Sequence, residues 1–442
     1  MTTDHITLRE GEFWRSVPGY ADIDTKTFLD HRWQARNSIT KPGRLKPVLG
    51  NTVPDSLFSE LEQAIIRSPM SLRISPYLIS LINWEEPLND PIRKQFLPLL
   101  SQLKPDHPCL ALDSLDEQAD TPVPGLVHRY PDKVLFLALD TCPIYCRFCT
   151  RSYTIGPDTE HVEKQALRVN RERWAQTFEY IEQHPDIEDV LVSGGDAWQL
   201  RAEQLEQIGN SLLSIPHVRR LRFATRGLAA MPQKLLTDDQ WCNTLKTLVD
   251  NGRKLHKEVA VHTHFNHPNE FTWISAAASN RLMELGITVR NQSVLLRGIN
   301  DDPDTMRLLV RRLGYHNIHP YYVYLHDMVT GVEDLRTSVA TAVKLEKAVR
   351  GTTAGFNTPA FICDAPGGGG KRDIHSYEYY DPDTGIAVYS APAVKPDQLF
   401  LYYDPIESLS RAGQLRWSDT DEHKLMIDEA VALARLQMSK NS

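Results

Sequence analysis

"KVLFLALDTCPIYCRFCTR", Lys133–Arg151, opens as a β-rich apolar run and ends in a loop that crowds three of the chain's six cysteines into eight residues. Five further β-rich runs follow: EDVLVSG, VRRLRFAT, EVAVHTHF, ITVRNQSVLL and PYYVYLH. Segments of helical length lie between them, among them ERWAQTFEYIEQ and TMRLLVRRLG. Strand and helix thus alternate six times. That alternation predicts βαβ units around a parallel sheet, closed or partly closed into a barrel with its chemistry at the C-terminal strand ends. The cysteines directly follow the first strand, where a catalytic loop belongs.

The flanks read differently. Residues 1–125 are expected to be a helical region packing on the barrel; PDSLFSELEQAIIRS has apolar residues at helical spacing after Asp55, which can serve as N-cap. Residues 126–335 make the barrel. Residues 336–442 form a C-terminal region with a helix, the apolar strand PAFICDAP, the tract Gly367–Gly370, Lys371, and a hairpin-like YEYYDPDTGIAVYS with a DTG turn. An amphipathic helix over DEHKLMIDEAVALARLQ ends it, and no internal repeat is visible.

With 442 residues, 41% hydrophobic and 24% charged, the chain reads as globular. Its net charge of −8 argues against a nucleic-acid partner and for a small molecule. No run approaches the ~18 apolar residues of a membrane span. The start, MTTDHITLREGEFW, has no signal arrangement, so a cytoplasmic protein without a membrane partner is expected. In a reducing compartment the loop cysteines read as metal ligands or redox groups, not disulfides. Cys109, Cys242 and Cys363 stand alone and read as buried thiols.

Cys142, Cys146 and Cys149 have the spacing C-x3-C-x2-C. Structural zinc wants four ligands, whereas three thiolates can hold three irons of a 4Fe-4S cluster and leave the fourth iron open to a chelating cofactor. After the second strand comes SGGD, Ser193–Asp196, whose adjacent glycines suit either close backbone approach to a ligand or a tight turn. DAPGGGGKR is not a phosphate loop, because G-x4-G-K-S/T would need Gly at 365 and Ser or Thr at 372, where the chain has Ala365 and Arg372. A lysine on four glycines is instead a mobile amine on a flexible tether, suited to a Schiff base with pyridoxal phosphate. His262 and His264 on one strand face, with His267 nearby, raise a rival from another class, a metal-dependent barrel hydrolase.

The blocks HRWQARNSI, HRYPDKVLFL, CRFCTR, SGGD, HTHFNHPNEFT, NQSVLLRGIND, PYYVYLHD and DAPGGGGK resemble, in order and over residues 30–395, the lysine 2,3-aminomutase family of the radical S-adenosylmethionine superfamily. The resemblance implies an α/β fold, a partial (β/α)6 barrel with helical N-terminal and C-terminal extensions. It implies an isomerase that moves the α-amino group of L-lysine to C3 to give β-lysine, with an arginine 2,3-aminomutase as the alternative. By the same resemblance Cys142, Cys146 and Cys149 hold the cluster, and Ser193, Gly194, Gly195, Asp196, His264 and Gln292 contact S-adenosylmethionine. Lys371 forms the Schiff base with pyridoxal phosphate, Arg129 and Lys133 hold its phosphate, and Tyr130 packs on its ring. Lys133 stands where relatives carry arginine, which keeps charge but loses the fork. Arg151 matches the residue for the substrate carboxylate, and Asp327 and Asp364 match the pair that receives the distal ammonium. Two close carboxylates repel unless a cation lies between them, so such a pair selects a cationic side chain. His326 and GVEDLRT depart from the lysine enzymes around Asp327. A one-electron donor such as flavodoxin or ferredoxin, and a homo-oligomer, complete what the family implies.

Overall fold

β-branched and aromatic residues bounded by turns make the strands, and the computed structural model, which describes residues 4–441, joins nine of them into one sheet. These are β1 (Leu126–Tyr130), β2 (Lys133–Leu139), β3 (Asp189–Gly194), β4 (Arg220–Ala224), β5 (Glu258–Thr263), β6 (Thr288–Val294), β7 (Ile318–Tyr324), β8 (Ala360–Ala365) and β9 (Gly370–Asp373). Their order in the sheet is their order in the chain. Neighbours from β2 to β8 pair in parallel, while β1 and β9 run antiparallel to β2 and β8 at the two ends. Each of β2 to β7 is followed by a helix, so there are six strand–helix units, as the alternation predicts. β2 and β3 are almost wholly buried, as expected for parallel strands covered on both faces. The protein is an α/β partial barrel. A side chain bridges its ends, where the backbone N–H of Lys371 in β9 donates to the Tyr130 hydroxyl of β1 at 2.8 Å.

Three features differ from the sequence reading. β8 joins the barrel sheet as a seventh parallel strand, because its register with β7 (Tyr322 opposite Ala360) continues the ladder. The expected hairpin, β10 (Tyr377–Asp381) and β11 (Ile386–Ala391), gains a third antiparallel strand, β12 (Lys395–Tyr403). Asp55 is not an N-cap: the helix Asp55–Ile66 starts from extended Pro54, and Asp55 lies in its first turn, 2.7 Å from Lys46. A carboxylate there still complements the helix dipole.

The flanking regions cover the barrel. Residues 13–102 form short helices around Trp14, Phe28 and Tyr77, and this core takes in Ile144 of the cysteine loop together with Ala230 and Ile274. Burial of Ile144 there pins the loop from outside. On the other side, β10–β12 and the helix Thr420–Asn441 share one continuous apolar core with the barrel.

Candidate active site

Two strand ends meet at the cysteine loop. Where β3 ends, the N–H of Gly195 donates to the Leu139 carbonyl at 2.6 Å and that of Asp196 to the Thr141 carbonyl at 3.0 Å. Gly194 has φ +128°, and a Cβ there would lie 2.0 Å from the Leu139 oxygen. Only glycine fits this approach. The Asp196 carboxylate accepts from the N–H groups of Trp198 (2.8 Å) and Arg226 (2.7 Å), so it brackets the loops that follow β3 and β4. SGGD is thus a tight turn that braces the cysteine loop, and all four of its residues also line the cavity beside it.

That cavity, of about 390 Å³, gathers most of the residues singled out from sequence. Cys142, Cys146 and Cys149 line it with Arg129, Tyr130, Lys133, Arg151, His264, Gln292, Asp327, Asp364 and Lys371. Its volume lies within the range of small-molecule sites. Burial, followed by neighbouring acidic charge, pushes the Cys142 thiol well up, and burial brings Cys149 to about 11. Metal ligation therefore has to displace their protons. Among the described residues no trio of His, Cys, Asp and Glu is gathered so as to hold a metal ion. Ligands of a polynuclear cluster stand farther apart than those of one ion, and three thiols facing one cavity suit the former.

At the other wall, the register of the β8–β9 hairpin sets Asp364 opposite Lys371. The Lys371 Nζ donates to Asp364 Oδ2 at 3.1 Å and lies 5.6 Å and 5.5 Å from the ring centres of Tyr130 and Tyr324. Burial opposes its charge, but Asp364 and the tyrosines outweigh that and keep the amine protonated. The flexible tether expected here is instead a tight turn. Gly370 has φ +72°, a Cβ on it would meet the Tyr130 hydroxyl at 2.8 Å, and Lys371 itself is hydrogen-bonded in a strand. Asp364 Oδ1 is buried without a partner. Asp327 accepts from the Thr150 hydroxyl; burial, then the charge of Asp364, raises its carboxyl to about 7.

The basic residues are partly engaged. Arg151 gives its Nε and Nη2 to Glu117 at 2.9 and 2.7 Å, which leaves Nη1 for a ligand. Arg129 is held by Asp120 at 2.7 Å and by the Leu115 carbonyl. Lys133 lies 4.0 Å over the Tyr130 ring, and Arg222, which the sequence reading missed, lines the same end of the cavity. His264 stacks on Phe148 with Nε2 buried and unpartnered; His262 also has an unpartnered Nε2, and burial holds both rings neutral. His267 leaves the site and caps the turn at Pro268–Glu270. Orphan polar atoms, a buried amine and basic groups in one cavity fit a phosphate-bearing aldehyde beside an iron–sulfur cluster. Glu117, Thr150 and Tyr324 were also missed. The alternation of Tyr322 and Tyr324 along β7 is a signal that could have pointed to the last.

An α/β partial barrel with three thiols and a buried lysine amine facing one cavity is what these features define, and comparison with known proteins bears on it directly. No family model matches the chain. L-lysine 2,3-aminomutase from Clostridium subterminale is 39% identical over 357 residues, 80% of each chain. The enzyme of that name from Bacillus subtilis strain 168 is 36% identical over 358 residues, 81% of this chain and 71% of its own. Glutamate 2,3-aminomutase from Clostridioides difficile strain 630 is 34% identical over 345 residues, 78% of this chain and 76% of its own. The chain belongs to the lysine 2,3-aminomutase family of the radical S-adenosylmethionine superfamily and is an isomerase of the 2,3-aminomutase type. This overturns the metal-dependent hydrolase reading of His262 and His264. Among the described residues no helix is long and apolar enough to cross a membrane.

Proposed function

We propose that the chain converts L-lysine to β-lysine, with a 4Fe-4S cluster on Cys142, Cys146 and Cys149, S-adenosylmethionine beside it and pyridoxal phosphate on Lys371. The observation that carries the substrate reading is the pair Asp327 and Asp364 in one buried cavity, with a lysine amine already 3.1 Å from one of them. Asp364 exchanges that amine for the substrate's own distal cation, and Asp327, relieved by the same cation, stays ionised beside Thr150. Glutamate would bring a third carboxylate to this pair and is disfavoured. The free Nη1 edge of Arg151 takes the substrate carboxylate, with Glu117 fixing the guanidinium plane.

When bound, the cofactors supply a radical that removes a β-hydrogen and a conjugated π-system across which nitrogen moves from C2 to C3. Lys371 carries the amine that releases and recaptures pyridoxal phosphate, Tyr130 flanks the ring, and Lys133, Arg129 and Arg222 face the phosphate. Ser193 to Asp196, His264 and Gln292 bind and orient S-adenosylmethionine. The buried walls exclude water from the reacting carbons. A one-electron donor such as flavodoxin or ferredoxin and assembly as a homo-oligomer accompany this reading.

Arginine is the second reading, favoured by the tyrosines around Lys371, because a guanidinium stacks on aromatic faces as well as pairing with carboxylates. Anaerobic incubation with reductant, S-adenosylmethionine, pyridoxal phosphate and L-lysine, L-arginine or L-glutamate, with products identified by NMR, ranks the candidates. β-Lysine alone is the expected outcome. Turnover of arginine but not lysine reverses the assignment, and turnover of neither defeats it.

A further inference from the structure

Arg226 lies just beyond β4 and is 6% exposed. Its backbone N–H donates to Asp196 at 2.7 Å. Its Nη1 donates to the Cys146 sulfur at 2.8 Å. Its Nη2 donates to Glu270 at 2.7 Å and to Gln95 at 2.5 Å. The guanidinium carbon sits 4.7 and 5.2 Å from the ring centres of Phe96 and Phe148, which clamp it. Glu270 is fully buried, and its other oxygen accepts from the N–H groups of Asn266 and His267. One residue thus joins the turn after β3 through its backbone and the cysteine loop, the loop after β5 and the helix Pro91–Phe96 through its side chain.

We propose that Arg226 is a positioning residue that sets the reduction potential of the cluster through its hydrogen bond to the Cys146 sulfur. The proposal rests on the cluster assignment above. Hydrogen bonds to cluster sulfurs and nearby charge tune the potential. A cluster gains negative charge on reduction, so an N–H donor on a ligand sulfur stabilises the reduced form and raises the potential. Glu270 holds the fork so that its other arm points at the Cys146 sulfur. Only a planar fork reaches sulfur, carboxylate and amide together, and lysine cannot replace it.

The test uses anaerobically reconstituted holoprotein and redox titration followed by electron paramagnetic resonance, with iron content measured alongside. Arg226→Gln is expected to keep its iron but to be reduced with at least tenfold less favourable equilibrium, about 59 mV more negative for one electron. Arg226→Lys, which keeps charge without the fork, should lie between. A parent-like potential in Arg226→Gln overturns the proposal. If Arg226→Gln takes up no iron, Arg226→Lys decides instead, and a parent-like potential there overturns the proposal. A parent protein without an iron–sulfur signal overturns the cluster assignment and this proposal together, which separates the two failures.

Discussion

Asp364→Asn removes one negative charge from the cavity with almost no change of shape. The wild-type carboxylate is 8% exposed, 3.1 Å from the Lys371 amine, and has a second oxygen without a partner. Losing one member of a desolvated charge pair costs about 2–5 kcal/mol, roughly 30-fold to several-thousand-fold in binding. Asp327 remains to hold the cation and the new amide oxygen still accepts a hydrogen bond, so the lower end applies. The expected result is a rise of about 30-fold in KM for L-lysine. Pyridoxal phosphate content, read by absorbance, should persist, because the backbone of Lys371 is fixed by β8 and Tyr130 and not by the carboxylate. A second consequence is independent of substrate. The charge of Asp364 is one cause of the raised Asp327 carboxyl, so in Asp364→Asn that carboxyl should titrate lower. Steady-state kinetics across pH reads both effects. A KM within about threefold of the parent, with the pH break unmoved, would refute the paired-carboxylate reasoning.

Four further outcomes are expected. In the parent, burial and Asp364 hold Asp327 up to about 7, so it is neutral below that pH and cannot pair with a cation; kcat/KM for L-lysine should fall about tenfold per pH unit on the acid side of 7, and Asp327→Asn should flatten that limb. Because a raised folded-state carboxyl weakens the fold above its ordinary range, Asp327→Asn should also raise Tm at pH 8 relative to pH 5, and an equal change at both would count against its burial as an ion. Borohydride reduction of the pyridoxal phosphate-loaded protein followed by peptide mapping should place the pyridoxyl group on Lys371, and a label on another lysine would refute that role. Gly194→Ala forces a Cβ to within 2.0 Å of the Leu139 oxygen at φ +128°, and should destabilise the protein by at least ~1–3 kcal/mol in denaturant titration, with loss of iron uptake; a variant of parent stability would show that the turn relaxes freely.

Local order in the sequence was enough for the six strand–helix units of the barrel, though not for the place of β8 in its sheet. Short apolar runs alternating with helical segments carry their periodicity on their face, and strand period and helix period are properties of neighbours in the chain. The three cysteines, SGGD and Lys371, which the fold gathers at one cavity, stood out in the sequence for the same reason, since each is a local pattern. What joins distant segments was not legible. Glu117 on Arg151, Thr150 on Asp327, Asp120 on Arg129 and Arg226 on Cys146 span 34, 177, 9 and 80 residues, and nothing in local spacing marks such partners. The glycine tract shows the limit most plainly. Four glycines read as freedom, yet register with β8 and contact with Tyr130 turn them into a tight hairpin that aims Lys371 at Asp364. Residue type determined which chemistry the chain can perform, whereas burial and pairing across the partial barrel decided which groups stay charged, and those depend on neighbours that only the fold brings within reach.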